Sequence, residues 1–126
     1  MELQQLLNNQ LPENINYKKI ISLLSKQKNY NGLCNELLKK SLRPHNGKKK
    51  DLAHPAIHPT GEIASLDARE FKIYDLIVKR TLSTFGDKAV RETVTIDIDV
   101  NKEIFITKGS RTVEKGWHRF YEPYIK

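Results

Sequence analysis

Three consecutive lysines, Lys48, Lys49 and Lys50, run straight into Asp51 and then into His54-Pro55-Ala56-Ile57-His58-Pro59-Thr60-Gly61. Proline fixes its own φ and pushes the residue before it into an extended conformation. His54 and His58 each precede a proline, so their backbone is stiff without being helical. An imidazole can change charge near neutral pH, and a neighbouring phosphate favours its protonated form. On a stiff support beside lysines, it suits the gripping of a phosphodiester.

The formal net charge of +7 is concentrated in one place. Residues 1–38 are net +1 and residues 51–126 net zero, whereas residues 39–50, KKSLRPHNGKKK, are net +6. That stretch carries Lys39, Lys40, Arg43, Lys48, Lys49 and Lys50 and no acid. Such a run can be a solvated linker, but solubility alone would not place it against a rigid His/Pro element. A polyanion is the obvious partner, with Arg43, the three lysines, His54 and His58 as candidate contacts.

Other chemistries lack parts. His54 and His58 as metal ligands would need a third and fourth at recognisable spacing, and only His45, His118 and Cys34 are left to supply them. His58-Pro59-Thr60 gives one HxT element, whereas the phosphoesterases built on it need two. There is no GxSxG nucleophile elbow and no glycine-rich phosphate loop. Asp97 and Asp99 form a DxD, but on the polar side of an alternating strand. Cys34 is the only cysteine, which excludes an internal disulfide, and it falls on an apolar helical face where it reads as core.

These residues must be held by elements that can be read from periodicity. Asn14 or Asn16 can cap a helix from Tyr17 to Gln27, with Ile20, Ile21, Leu23 and Leu24 on one face. Glu2 to Asn8 is a weaker amphipathic stretch, broken at Leu11-Pro12. After a turn at Asn29–Gly32, Leu33, Cys34, Leu37, Leu38 and Leu42 predict a second helix ending before Pro44. Ser65 or Asp67 can cap the next helix, and Asp67 with Glu70 matches a capping box, ahead of a stripe of Phe71, Tyr74, Ile77, Val78, Leu82 and Phe85, with Gly86 as a stop. Ile73 and Leu76 broaden that stripe, so this helix is expected to be covered on more than one side. Thr93 to Val100 then alternates with period two, Glu103 to Thr107 follows, and Asn101-Lys102 between them predicts a hairpin turn. Its apolar face calls for a partner, because a lone hairpin is marginal in water. The tail joins Trp117, Phe120, Tyr121 and Tyr124 to basic residues and reads as packing, with base stacking as the alternative.

The fold class expected is therefore α+β: an N-terminal helical segment, residues 1–90, followed by a β-hairpin segment and aromatic tail, residues 91–126. The length, 126 residues, is that of one domain. The hydrophobic content of 38% is lean, so part of the core is expected from another chain or a missing segment. With no run of ~20 apolar residues and no signal-peptide pattern, a cytoplasmic protein with no membrane association is expected.

Taken in order, A53-H54-P55-A56-I57-H58-P59-T60-G61, then E70-x-K72-I73-Y74-D75-L76-I77-V78-K79-R80 and F85-G86-x-x-A89-V90-R91-E92-T93, closely resemble type IA DNA topoisomerases, the archaeal branch most of all. G109-x-R111-T112-V113-E114-x-G116-W117 and Y121-x-P123-Y124 resemble the same family further on, so the likeness runs from about residue 8 to the end. The resemblance implies ATP-independent single-strand cleavage, strand passage and religation of DNA that is single-stranded or underwound. It places His54 at the scissile phosphate, and it implies Mg²⁺ in the complete enzyme, with no cofactor in this chain. His58 falls where relatives vary. The helix after the tract would close the family's mobile helical domain, and the strands would open its β arch.

The departures shape the expectation. The family cuts DNA with a tyrosine in a motif like S-Y-P-R-T, just upstream of the Leu11-Pro12 equivalent. Here that stretch is MELQQLLNN, with neither tyrosine nor arginine, and Tyr17 lies beyond the motif. The acidic metal-binding domain has no counterpart. The resemblance thus implies a partial type IA topoisomerase that is inactive alone: one part of a split enzyme, a degenerate remnant, or an excised piece. The alternative class is a non-catalytic DNA-binding protein.

Overall fold

In the computed structural model, residues 8–122, 124 and 125 are described. The element order is α1 (Tyr17–Leu24), α2 (Asn31–Leu38), α3 (Ala68–Ser83), β1 (Val90–Val100), β2 (Glu103–Glu114) and α4 (His118–Tyr121). This is the expected α+β arrangement, helices first and one antiparallel hairpin after them. The amphipathic stretch expected over Glu2–Asn8 lies, except for Asn8, outside the described residues.

Asn16 is the cap of α1, its side chain accepting from the Lys19 amide, which satisfies one of the unpaired donors of the first turn. The helix stops at Leu24 rather than Gln27. Helix α2 begins at Asn31, so the segment expected to be a turn already contributes helix. It ends at Leu38, and Leu42 packs on the core from the extended chain beyond. Asp67 and Glu70 close the predicted capping box at α3 in both directions.

The core lies where α1, α2 and the second half of α3 converge. Ile21, Leu24, Tyr30, Cys34, Leu37, Val78 and Leu82 are fully buried there, and Phe120 of α4 closes one side. Helix α3 departs from the expected double-sided cover. Its buried residues are Asp75, Val78, Thr81, Leu82 and Ser83, while Phe71 and Ile73 are exposed. The reason is length: sixteen residues span about 24 Å, whereas α1 and α2 span about 12 Å each and can cover only half of it. Helix α3 therefore extends past its partners at its N-terminal end.

The buried carboxylate of Asp75 is held by three donors. Tyr30 Oη donates to Oδ1 at 2.9 Å, Tyr124 Oη to Oδ2 at 2.7 Å, and Lys79 Nζ lies 3.1 Å from Oδ2. Burying a carboxylate is tolerable only with such full pairing. Tyr124 thereby ties the aromatic tail to α3, and Arg119 ties it to α2 through Glu36 at 3.0 Å. The tail thus packs, and burial holds the Cys34 thiol up at about 11, as for an unreactive core residue.

Gly86 is needed for close approach rather than for a helix stop. A Cβ there would sit 2.7 Å from Trp117 Cα, and α3 has already ended on Thr84 in helical conformation.

Asn101 and Lys102 both have positive φ, 52° and 68°, as a type I′ hairpin turn requires. The strands run longer than the alternation alone indicates, pairing from Val100↔Glu103 back to Val90↔Glu114 with Val113 bulged out. Cross-strand pairing puts Val94, Ile96, Ile98 and Val100 on one face with Phe105, and Asp97 and Asp99 on the other with Ile106 and Ile104. Every strand residue is exposed. The partner that the apolar face calls for is absent among the described residues.

Candidate nucleic-acid interface

The 28-residue connection from Lys39 to Leu66 holds no helix or strand and carries both the basic run and the His/Pro tract. Loops this long are ordered only if their backbone groups find partners. Here the partner is the short segment Asn8–Leu11. Gln10 N donates to Lys49 O and Gln10 O accepts from Ala56 N, both at 3.0 Å. Gln10 Nε2 donates to Gly47 O at 2.7 Å, Asn46 Oδ1 accepts from Leu11 N at 3.1 Å, and Asn9 Nδ2 donates to His54 O at 2.7 Å. One segment is thus stitched between the lysines on one side and the histidine tract on the other.

The tract is anchored at its far end as well. Ala56, Pro59 and Gly61 are buried. Gly61 has φ +89°, and a Cβ there would lie 2.7 Å from Leu23 Cβ and 3.1 Å from Ile20 O. Only glycine lets the chain pass this close to α1.

His54 is displayed by a local turn. Asp51 Oδ1 accepts from the amides of Ala53, at 3.0 Å, and His54, at 3.2 Å, while Oδ2 lies 3.1 Å from His54 Nδ1. Paired with a carboxylate, Nδ1 carries a proton, and Nε2 is left to meet a ligand. The side chain is 54% exposed, so the ring is open to solvent. The hydrogen bond from His54 is the main reason the Asp51 carboxyl lies below its ordinary value.

The structure separates the remaining candidates. Lys48 and Lys49 line a cleft of about 350 Å³ together with Asn8, Asn9, Ala56 and Arg80. Lys50 lines a neighbouring one with Asp51 and Pro55, and its Nζ lies 3.6 Å from Glu13 Oε1. Arg43 is exposed and lines neither cleft. His58 is half-buried: its Nδ1 donates to Pro59 O at 3.0 Å and its ring meets Tyr17 edge-on, centroids 6.3 Å apart. That ring serves packing between the tract and α1. Among the described residues no three His, Cys, Asp or Glu side chains converge as metal ligands.

Three residues of this surface escape a reading of the sequence. Arg80 looks like a solvated helical position beside Lys79, His45 like a loop residue and at most a spare metal ligand, and Asn8 like the end of a weak amphipathic stretch. Their proximity depends on the Asn8–Leu11 segment folding back over the loop, and no local pattern encodes that.

A model of the DNA topoisomerase family matches residues 8–126. The chain is 47% identical over 120 residues to a DNA topoisomerase 1 of Pyrococcus furiosus, covering 92% of this chain and 11% of that protein. It is 45% identical to a DNA topoisomerase 1 of Pyrococcus horikoshii and 44% to one of Methanothermobacter thermautotrophicus, again covering 92% of this chain, and 18% and 16% of theirs. The chain therefore spans less than a fifth of the length of these relatives.

Proposed function

The chain belongs to the type IA DNA topoisomerase family, and we propose that it supplies DNA-phosphate contacts to ATP-independent single-strand cleavage, strand passage and religation. In this reading the His54 ring, protonated on both nitrogens in the field of the phosphate, donates from Nε2 to an oxygen of the scissile phosphate. Negative charge that develops there as a tyrosine oxygen displaces a deoxyribose oxygen is stabilised by the donor. Exchanging one phosphoester for another conserves the bond, so no ATP is needed to reseal the strand. Lys48, Lys49 and Lys50 neutralise neighbouring phosphates, with Arg43 at the edge of the same basic loop.

The nucleophile must come from elsewhere. Residues 1–10 contain no tyrosine, and the Tyr17 hydroxyl is donated to Pro12 O at the base of α1. The Mg²⁺ implied for the complete enzyme finds no acidic trio among the described residues, so no step here runs through it. The working unit is this chain joined to the remainder of a topoisomerase, and the unpartnered apolar face of the hairpin is where we place that junction.

The observation that carries the reading is the half-exposed His54 ring, oriented by Asp51 and stitched through Asn9 and Gln10 to the lysine loop. Electrophoretic mobility shift at several salt concentrations tests it. If the loop touches about four to six phosphates, log affinity for duplex DNA falls against log salt with a slope of about −4 to −5. A flat dependence would remove DNA from the account. The second reading, a non-catalytic DNA-binding protein, is favoured by MELQQLLNN standing where a motif like S-Y-P-R-T would fall. It predicts the same salt slope but no cleavage when the remaining topoisomerase segments are supplied in trans.

A further inference from the structure

Two clefts, of about 430 and 350 Å³, share Arg80, His45 and Thr84 in their walls. Arg80 projects from the last turn of α3, with Nη2 3.2 Å from Asn8 Oδ1 and Cζ 5.5 Å from the centre of the Tyr121 ring. Both partners are neutral. Among the described residues no carboxylate lies within ion-pair distance of this guanidinium, although Asp75, Asp87, Glu13, Glu36, Glu92 and Glu122 are engaged by other cations and Asp51 by the His54 ring. Among the described residues, the wall of the smaller cleft holds no acid. The acid in the wall of the larger one, Asp87, is paired with Lys40. A partly buried arginine without a counter-charge, fixed by an amide and an aromatic face, is built for an incoming anion.

His45 is held at the same place, since its backbone amide donates to Thr84 O at 2.7 Å just past the end of α3. In the wall of the larger cleft lies Trp117, half-buried and packed close to Gly86. Each cleft is of the size that takes one small ligand, and a cation beside an indole matches the combination of phosphate contact and base stacking that binds an unpaired strand.

We infer that Arg80 and His45 form a second nucleotide subsite for single-stranded DNA, gripping a phosphate other than the one at His54 and receiving the adjoining base against Trp117. The inference rests on the DNA reading above and adds to it three residues that would hold the unpaired strand. A base in a duplex is paired and stacked and cannot enter such a cleft, so the subsite selects unpaired DNA.

The chain has a single tryptophan, so indole fluorescence reports on this subsite alone. Titration with an oligodeoxythymidylate should quench it, whereas short duplex DNA should bind with little quenching. Arg80→Gln should weaken oligodeoxythymidylate binding about tenfold, reduce the salt slope by about one and abolish the quench. Arg80→Lys should keep the slope but restore only part of the affinity, because an ammonium lacks the planar fork. Changing Lys48, Lys49 and Lys50 together to alanine should weaken binding yet leave the quench at saturation. Equal quenching by duplex and single strand, or Arg80→Gln binding and quenching like the unaltered chain while the lysine variant fails, overturns the subsite and leaves the His54 surface standing. Absence of any salt-dependent binding by the unaltered chain overturns both. The wild-type titration needs no variant to fold, and circular dichroism checks the others.

Discussion

His54 and Asp75 are each tied to hydrogen-bond partners, but to opposite ends. At His54 the carboxylate of Asp51 fixes a ring that stays in solvent, so the arrangement spends order on presentation rather than on stability. His54→Ala should therefore leave the fold and most DNA affinity intact, while abolishing cleavage in an enzyme reassembled from this chain and the remaining topoisomerase segments. Unchanged cleavage would take His54 out of the mechanism. At Asp75 the same kind of pairing is internal. Tyr30→Phe removes a buried hydrogen bond to the carboxylate and should cost about 1.5–3 kcal/mol, read as a lower urea midpoint with an unchanged slope. The phenols carry a pH consequence. Burial, with the Asp75 hydrogen bond second, pushes Tyr124 up to about 12 and raises Tyr30 further. The folded state then holds protons that the unfolded chain releases near its ordinary tyrosine value of about 10. Stability is thus complete below pH ~10 and falls as pH rises from there through 12, because the native state binds more protons over that interval. Thermal unfolding midpoints measured across that range should decline, and should decline less in Tyr30→Phe.

Among the elements, the His/Pro tract depends on its crossing of α1 at Gly61. Gly61→Ala imposes a positive φ on an L-residue, costing about 1–2 kcal/mol, and drives a methyl group against Leu23. Denaturant titration should show at least that loss, with weakened DNA binding as the tract lifts; a neutral Gly61→Ala would mean that the tract does not lie on α1. The elements themselves were largely legible in the sequence. The Asn16 cap, the Asp67/Glu70 box and the Asn101-Lys102 turn are local chemistry, and each is observed. Less legible was anything set by distant partners. Periodicity marked Phe71 and Ile73 as part of a stripe, but how far that stripe is covered depends on the lengths of α1 and α2. Tyr30, placed in a turn, is fully buried because Asp75 on another helix needs its hydroxyl. Arg80 gave no signal for the same reason: Asn8 and Tyr121, its neighbours in space, are 72 and 41 residues away in the chain.

For the whole molecule, the helical body is closed by a core of its own while the hairpin is not. Val94, Ile96, Ile98 and Val100 each remain about half exposed, on a chain that spans less than a fifth of its relatives' length. Ile96→Asp should change the thermal stability of the isolated chain by no more than about 0.5 kcal/mol, as at other exposed positions. It should nonetheless block co-sedimentation with the remaining topoisomerase segments, and unimpaired co-sedimentation would move the junction off this face. The stitching at Gln10 reaches further still. Its amide and carbonyl hold the lysine loop and the histidine tract from opposite sides, so neither can peel away without the other. A pull on either is accordingly shared by the other, as in a single rigid jaw, and the Gln10 and Ala56 amides should exchange with deuterium at one common rate.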